Sequence, residues 1–347
     1  MKALVLLGKE NFEIRDIETP KIKDDEILLK IMASGICAND VRDYKGDTKY
    51  TMPRIGGHEY SGEIVEIGKD VDVNLFPIGK KAVSYIIPAC GECYFCRIGK
   101  ENLCEKAPHS KTFFEPNGIS GFGGYAQYIA LKSRDVYVMA DDVPYEVASM
   151  TEPLACVLNS FSHAKVDFAD DVVIIGGGVM GQLHVQLAKM RGARVILSEP
   201  DEQRRELAKS FGCDITFNPM EKNPIEYVKE LTQGRGADIV FNTTAIPAVA
   251  EQAVEMTAPS GRCIMFSSMH PNNPVAVDAG AIHSLEKVVT GSVSPTVYSY
   301  HQAVRMISKK LINLEKLIHK VYVYTEAKEA FAEAAKSNTL KVVLKFN

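Results

Sequence analysis

A glycine-rich turn between an apolar run and a helical pattern constrains the fold more than any other feature. Residues 172–175 are all β-branched and apolar, and the glycines that follow match G-x-G-x-x-G. In such a strand–turn–helix unit the first glycine permits the turn, the second lets a pyrophosphate approach, and the third lets the helix pack on the strand. The helix N–H groups then face the phosphates. The residues predicted to bind a dinucleotide here are Gly176, Gly178, Val179, Met180 and Gly181.

An acidic residue follows this turn where a ribose-binding carboxylate is expected. The next predicted strand, residues 193–198, leads to Glu199, which lies about twenty residues beyond the glycines. A carboxylate accepts hydrogen bonds from both ribose hydroxyls and repels a 2′-phosphate, so Glu199 favours NAD over NADP. Thr243 falls at the end of the fourth predicted strand, where we expect it to contact the cofactor.

The pattern of elements differs between two parts of the chain. From residue 151 to residue 290, strand-like runs alternate with helical patterns, which predicts a doubly wound parallel sheet with its ligand at the carboxyl ends of the strands. Residues 1–150 instead contain many short strands separated by glycine turns, which predicts an antiparallel, barrel-like β domain. The length of 347 residues agrees with two domains.

Charge and hydropathy restrict the partners. The net charge is −4, so no basic field favours nucleic acid. No apolar stretch is long enough to span a bilayer, and the first residues lead into a strand without a signal-peptide pattern. We therefore expect a cytoplasmic protein that binds neither nucleic acid nor membrane.

Four of the eight cysteines form a compact motif with the spacing C-x2-C-x2-C-x7-C. Four thiolates surround a tetrahedral zinc ion and leave no open position, which is typical of a structural site. Disulfides are disfavoured in a long chain from a reducing compartment. An iron–sulfur cluster is an alternative, as is a nucleic-acid-binding zinc module, although glutamates in the loop disfavour phosphate contact. The predicted ligands are Cys90, Cys93, Cys96 and Cys104.

Three further residues supply soft, intermediate and hard metal ligands from two separate segments. Cys37 lies in G-I-C-A-N-D, and His58 and Glu59 lie in G-G-H-E-Y-S-G. Each residue alone is a weak signal, because a single cysteine is usually a small core residue. Together they match the open arrangement of catalytic zinc, in which three protein ligands leave a position for water or substrate.

These segments resemble the zinc-dependent medium-chain dehydrogenases of the alcohol dehydrogenase superfamily, in the branch of the polyol (sorbitol) and threonine dehydrogenases. The four-cysteine loop, G-G-Y-A-Q-Y at 123–128 and E-P-L-A at 152–155 follow in the family's order. The resemblance covers essentially the whole chain. It implies an α/β fold in which a Rossmann doubly wound parallel sheet, residues 151–290, joins a GroES-like β-barrel catalytic domain, residues 1–150 and 291–347.

The resemblance also implies an activity and a set of site residues. The expected reaction transfers a hydride between a secondary alcohol and NAD and gives a ketone, with a catalytic and a structural zinc ion in each chain. Cys37, His58 and Glu59 are implied as ligands of the catalytic zinc, with Glu152 as a further ligand or a group acting through water. Arg204 is implied beside the adenosine ribose. The expected partners are a small-molecule alcohol or ketone and, as in relatives, further copies of the chain in a homodimer or homotetramer.

The sequence departs from the family at the positions that usually carry a proton relay. Relatives have Ser or Thr two residues after the cysteine and often His three further on, where this chain has Asn39 and Arg42. An amide orients a hydroxyl but does not relay a proton, and arginine stays protonated. A water at the zinc and Glu152 are then the candidate proton carriers. Arg42 is expected either to meet an anionic group of substrate or cofactor or to lie in solvent.

This departure leaves the substrate and two alternatives open. A polyol, a sugar acid and a polyol phosphate are all compatible with the motifs. A zinc-free reductase and a non-catalytic NAD(H)-binding protein are the alternative functions on the same fold.

Overall fold

A computed structural model of the chain describes residues 1–48, 50–106 and 119–346, which form two compact units. The first unit comprises Met1–Ala155 with Pro295–Asn347, and the second comprises Cys156–Ser294. The units change over a few residues later than the limits expected at residues 150 and 290. Among the described residues, none of the helices combines the length and apolar character that a membrane span requires.

Strands and helices alternate along the chain. The strands are β1 Lys2–Gly8, β2 Asn11–Asp16, β3 Glu26–Gly35, β4 Arg54–Ile55, β5 Glu59–Ile67, β6 Lys81–Ser84, β7 Ser120–Gly121, β8 Tyr128–Lys132, β9 Val136–Val138, β10 Asp171–Ile175, β11 Arg194–Ser198, β12 Ile215–Phe217, β13 Ala237–Asn242, β14 Thr257–Met265, β15 Val288–Gly291, β16 Ile318–Val323 and β17 Lys341–Lys345. The α-helices are α1 Ala38–Lys45, α2 Tyr94–Arg97, α3 Tyr145–Ala148, α4 Thr151–Ala164, α5 Val179–Met190, α6 Glu202–Ser210, α7 Pro224–Leu231, α8 Pro247–Glu255, α9 Ala279–Ser284, α10 Val297–Ser308 and α11 Ala327–Ala334. Short 3-10 turns cover Glu101–Leu103, Ser133–Asp135, Glu315–Leu317 and Tyr324–Glu326.

The second unit is built on a parallel sheet of six strands in the order β12-β11-β10-β13-β14-β15. Every residue of β10 is buried, as expected when helices cover both faces of a parallel sheet. The strand order reverses between β10 and β13, and the glycine-rich turn follows β10 at this switch point, where doubly wound sheets bind their ligands. The predicted Rossmann sheet is confirmed.

The first unit contains a sheet of seven strands and a sheet of four strands. The larger sheet has the order β16-β17-β3-β5-β6-β9, with β8 also paired to β3, and the smaller has the order β2-β1-β4-β7. Most pairs are antiparallel, as the short strands and glycine turns predict, but β16–β17 and β4–β7 are parallel. Strand β3 lies at the centre, because it pairs with β5, β8 and β17.

The sequence pattern does not predict helix α1, which later proves to carry site residues. Its eight residues include two buried aspartates, Asp40 and Asp43, and few apolar side chains, so no apolar stripe marks it. A capping interaction begins the helix instead, because the Cys37 backbone N–H donates to Asp40 Oδ2 at 3.0 Å.

A buried histidine on α5 makes the stability of the second unit depend on pH. His184 is fully buried; its Nδ1 lies 2.8 Å from the carbonyl of Met180, and its Nε2 lies 3.0 Å from Ser160 Oγ. These contacts suit a neutral ring that donates from Nδ1 and accepts at Nε2. Burial lowers the pKa of His184 to about 4.

Replacing His184 should therefore reduce the loss of stability in acid. The unfolded chain binds a proton near the ordinary histidine pKa of 6.5, whereas folded His184 does so near 4. The free energy of unfolding thus falls as the pH decreases through this range, by about 2–3 kcal/mol between about pH 7 and about pH 4.5. We expect this contribution to be missing in His184→Gln. Urea unfolding at the two pH values measures this contribution, and exposed His283→Gln is the control. Equal pH dependence of the free energy of unfolding in wild type and His184→Gln would contradict the prediction.

Candidate active site and metal centres

The four cysteines of the predicted structural site converge in the first unit. The sulfur atoms of Cys90 and Cys96 lie 3.9 Å apart, as do those of Cys93 and Cys104. A tetrahedron with Zn–S bonds of about 2.3 Å has edges of about 3.8 Å, so the arrangement fits zinc. Backbone N–H groups also point at the sulfurs, including those of Glu92 and Cys93 toward Cys90 Sγ, which supports thiolate ligands. The four thiols form a closed set, typical of a structural ion.

Loss of one of these thiols should remove one zinc ion. In Cys104→Ser we expect the zinc content to fall from two ions to one per chain, with a lower melting temperature, because the surrounding loop has little apolar core besides Cys93, Cys104 and partly buried neighbours. Elemental analysis and a thermal melt measure both effects. Cys156→Ser, outside both clusters, should keep both ions. Retention of two ions in Cys104→Ser would show that this loop is not a zinc site.

Strand pairing brings the second set of ligands together. Gly35, the last residue of β3, pairs with Glu59, the first residue of β5. Cys37 follows β3 and His58 precedes β5, so the register places them side by side. One ligand atom from each of Cys37, His58 and Glu59 lies within 4.8 Å of the others. The structure therefore brings three of the four predicted catalytic ligands into one cluster.

Glu152 lies in the first turn of α4 and is buried, although it is not part of this tight cluster. Its charge raises the pKa values of both His58 and Lys341, so it is within electrostatic reach of the cluster. A helix N-terminus stabilises a carboxylate. These positions agree with Glu152 as a further ligand or as a carboxylate acting through water, which stays a prediction.

His58 is surrounded by negative charge. Burial alone would lower its pKa, but Asp40, Cys37 and Glu152 together raise the pKa above its usual value. Asp40 Oδ2 lies 3.7 Å from His58 Nδ1, which is buried and has no hydrogen-bond partner in the part of the chain that the structure describes. Anionic groups that surround an imidazole in this way are a suitable environment for a divalent cation.

A lysine that the sequence patterns did not single out holds the third ligand. Lys341, the first residue of β17, donates from Nζ to both Glu59 oxygens at 2.8 and 2.5 Å and to the carbonyl of Ile36 at 3.2 Å. Both side chains are almost fully buried. Burial alone would lower the pKa of Lys341, but Glu59, Cys37 and Glu152 raise it. The lysine is far from the ligands in the sequence, so no local motif could identify it.

Removal of Lys341 should destabilise the first unit through the carboxylate it leaves behind. In the metal-free protein we expect Lys341→Met to lower the free energy of unfolding by about 3–5 kcal/mol, because an unpaired buried charge is costly. The double variant Lys341→Met/Glu59→Gln should lose less than the sum of the single changes, because it leaves no charge unpaired. Lys345→Met, on the same strand but partly exposed, is the control, with an expected cost below about 1 kcal/mol. Denaturant unfolding of wild type, Lys341→Met, Glu59→Gln, the double variant and Lys345→Met measures the coupling, and strict additivity would argue against it.

Asn39 and Arg42, the positions that depart from the family pattern, contact each other. Arg42 Nη2 donates to Asn39 Oδ1 at 3.1 Å on helix α1. Asp40, on the same helix, was also missed from the sequence; it accepts hydrogen bonds from the backbone of Cys37 and Gly57. Its spacing from Cys37 is the signal that could have revealed it, because it matches a helix-capping interaction.

The nucleotide-binding residues lie in the second unit. A Cβ on Gly181 would come 1.9 Å from the carbonyl oxygen of Gly176, so only glycine permits this approach of helix to turn. Around Gly178, by contrast, a Cβ would meet nothing within 4 Å, which leaves open space where a pyrophosphate is expected. Thr243 donates its hydroxyl to the carbonyls of Ile175 and Gly176 at 2.8 and 3.2 Å, so it braces the turn itself.

The predicted ribose-binding acid is fixed by backbone donors. Glu199 is buried, and its carboxylate accepts hydrogen bonds from the N–H groups of Gly177 at 2.5 Å and Asp201 at 2.9 Å. Each oxygen retains a lone pair for a ribose hydroxyl. Arg204 lies in the first turn of α6, and its backbone N–H donates to Asp201 Oδ1 at 2.9 Å. Its place beside the ribose stays a prediction.

A parallel sheet with a glycine-rich turn and two clusters of metal-binding residues are the features that a zinc-dependent dehydrogenase requires. Comparison with known proteins gives the family. The model of the alcohol dehydrogenase GroES-like domain matches residues 23–141, and that of the zinc-binding dehydrogenase matches residues 179–309. D-arabitol-phosphate dehydrogenase of Enterococcus avium is 32% identical over 346 residues, 98% of this chain and 95% of that protein.

Other relatives agree over the full length. Sorbitol dehydrogenase of Halalkalibacterium halodurans is 29% identical over 351 residues, which cover 99% of each protein. The solved structure of galactitol-1-phosphate dehydrogenase from Escherichia coli superposes with a TM-score of 0.88 at 27% identity and 100% coverage of both chains. The chain belongs to the zinc-binding dehydrogenases and is an NAD-dependent zinc alcohol dehydrogenase. The resemblance seen in the sequence is confirmed.

Proposed function

We propose that the enzyme oxidises a secondary alcohol to a ketone at a zinc ion held by Cys37, His58 and the Glu59 carboxylate, with the Glu152 carboxylate acting beside them through water. The observation that supports this proposal most directly is the buried cluster of one thiol, one imidazole and one carboxylate within 4.8 Å. Such ligands have no structural need to lie together, because a mixed anionic cluster is costly to bury without a cation. When bound, zinc supplies Lewis-acid polarisation of the alcohol oxygen.

The surrounding residues hold this ligand set in place. Asp40 Oδ2 lies 3.7 Å from His58 Nδ1, on the side of the ring that would leave Nε2 for the metal. Lys341 donates to both oxygens of Glu59, and each oxygen keeps a lone pair, so Glu59 serves the lysine and the metal together. Glu152, at the start of α4, accepts the substrate proton, because Asn39 and Arg42 offer no relay. NAD, held by the glycine-rich turn and Glu199, would supply the acceptor for the hydride of the carbinol carbon.

We propose NAD rather than NADP as the preferred cofactor. The buried Glu199 carboxylate, fixed by the N–H groups of Gly177 and Asp201, is suited to accept hydrogen bonds from the ribose. A 2′-phosphate at this position would be repelled by the Glu199 carboxylate, and the buried surroundings would not screen this repulsion.

The substrate class follows from the site and the relatives together. Relatives named for sorbitol, D-arabitol phosphate and galactitol 1-phosphate match over nearly the full length. We propose a polyol, a sugar acid or a polyol phosphate as the substrate.

We also infer a cytoplasmic homo-oligomer, a homodimer or homotetramer. Eight free cysteines favour a reducing compartment. Among the described residues, strand β15 lies at the edge of the six-stranded sheet, and a second copy would cover this edge.

Loss of a catalytic ligand should separate chemistry from cofactor binding. In Cys37→Ser we expect turnover to be abolished and the zinc content to fall by one, while NADH still binds, because the nucleotide site lies in the second unit. Steady-state assays with a panel of polyols, sugar acids and polyol phosphates measure turnover. Elemental analysis measures the zinc content, and NADH fluorescence measures cofactor binding. Cys156→Ser is the matched control and should keep all three properties.

Two results would contradict the proposal. Retained activity in Cys37→Ser would remove the zinc assignment. A wild-type protein with one zinc ion per chain and no turnover of any panel member would instead support the zinc-free reductase or the non-catalytic NAD(H)-binding protein.

A further inference from the structure

Helix α1 places an arginine beside the metal-ligand cluster on a face distinct from its buried acids. Asp40 and Asp43 are almost fully buried, whereas Asn39 and Arg42 are half-buried. The spacing of three residues makes Asn39 and Arg42 neighbours on the helix surface. Arg42 Nη2 donates to Asn39 Oδ1 at 3.1 Å, so the amide orients the guanidinium but does not neutralise its charge.

The charge of Arg42 has no counter-ion in the described residues. No carboxylate among them lies within 4.0 Å of its guanidinium nitrogens, and its buried Nε has no hydrogen-bond partner there. Arg54 is a useful contrast in the same region, because its Nε lies 3.4 Å from Asp43 Oδ2. A half-buried guanidinium without a counter-ion is suited to bind an anion through the donors that Asn39 leaves free.

The position of Arg42 relative to the metal ligands suggests which anion it binds. Cys37 is the N-cap of α1, and five residues of helix separate it from Arg42 by about 7.5 Å along the axis. This length is comparable with a short polyol chain. A substrate whose carbinol lies at the metal could thus extend its far end along α1 to the guanidinium. The fork of N–H donors matches a phosphate better than a hydroxyl.

We propose that Arg42, oriented by Asn39, binds the phosphate of a phosphorylated polyol and makes the enzyme specific for polyol phosphates over free polyols. The proposal rests on the proposed function, because it names the substrate class of the same site. The names of two relatives, D-arabitol-phosphate and galactitol-1-phosphate dehydrogenase, are in keeping with this substrate class.

The cofactor is the other source of phosphate. Its pyrophosphate already has a site in the glycine-rich turn and the N-terminus of α5, where a Cβ on Gly178 would meet nothing within 4 Å. Arg42 is therefore assigned to the substrate, and the test separates the two sources.

The test compares paired substrates on the zinc-loaded, full-length enzyme with NAD. The two pairs are D-arabitol with its phosphate and galactitol with galactitol 1-phosphate. Each compound is assayed with wild type, Arg42→Met, Arg42→Lys and Lys45→Gln. In wild type we expect kcat/KM for a phosphate ester to exceed that for the free polyol by about 10-fold or more. Arg42→Met should lower kcat/KM for the ester by about 10- to 100-fold, mainly through KM.

The controls restrict this effect to the phosphate. In Arg42→Met, kcat/KM for the free polyol and KM for NAD should change by less than about twofold, because neither contacts the guanidinium. Arg42→Lys keeps the charge without the fork and should recover part of the loss. Lys45→Gln removes an exposed cation from the same helix and should change nothing. Circular dichroism confirms that the variants are folded.

Different failures have different meanings. Equal kcat/KM for ester and free polyol in wild type would overturn the phosphate specificity and leave the proposed dehydrogenase intact. The phosphate specificity would also be overturned if KM for NAD rose in Arg42→Met equally with both types of substrate. That result would assign the guanidinium to the cofactor. No oxidation of any of the four compounds would defeat the proposed polyol or polyol-phosphate activity itself.

Discussion

A buried ion pair between Lys341 and Glu59 connects the C-terminal strand of the chain to the metal site. The ammonium contacts both carboxylate oxygens and a backbone carbonyl, and such complete hydrogen bonding is what makes a buried pair tolerable. The pair requires β17 to lie beside β3, and β3 to lie beside β5 in the register that aligns Gly35 with Glu59. The position of one carboxylate thus depends on the correct pairing of strands from both ends of the sequence.

The same cluster explains why a cation belongs in the first unit. Four acidic side chains surround His58 and Lys341 and raise their pKa values, namely those of Cys37, Asp40, Glu59 and Glu152. The structure places the ammonium of Lys341 among these acids. The acids lie close enough to His58 to raise its pKa, and a bound divalent cation would balance their charge in place of that proton. The four-cysteine loop has a different function, because its closed set of thiols leaves no position for substrate. This difference is why we propose chemistry at one set of ligands and stabilisation of a loop by the other.

The sequence predicted those features that are encoded locally. The glycine-rich turn, Glu199 and the cysteine spacing each depend on residues close in the chain, and the structure places them as expected in the Rossmann sheet and the zinc loop. Helix α1 was not predicted, because its buried faces are aspartates rather than apolar residues. Lys341 was not predicted either, because only the strand topology brings it to Glu59. The contact between Asn39 and Arg42 became visible only once α1 was known to be helical.

The change from hydroxyl and imidazole to amide and guanidinium alters what this face of α1 does. An amide and a permanently charged guanidinium cannot pass a proton between them, so the proton path and the anion site must be separate. Glu152 is suited to the first task, since it lies in the first turn of α4 near the metal ligands, where the helix dipole favours its ionised form. Arg42 is suited to the second task, because its only side-chain partner in the described residues is the neutral Asn39. The departure from the family pattern is therefore better explained by recognition of a charged substrate than by loss of catalysis, because the ligand cluster beside it is intact.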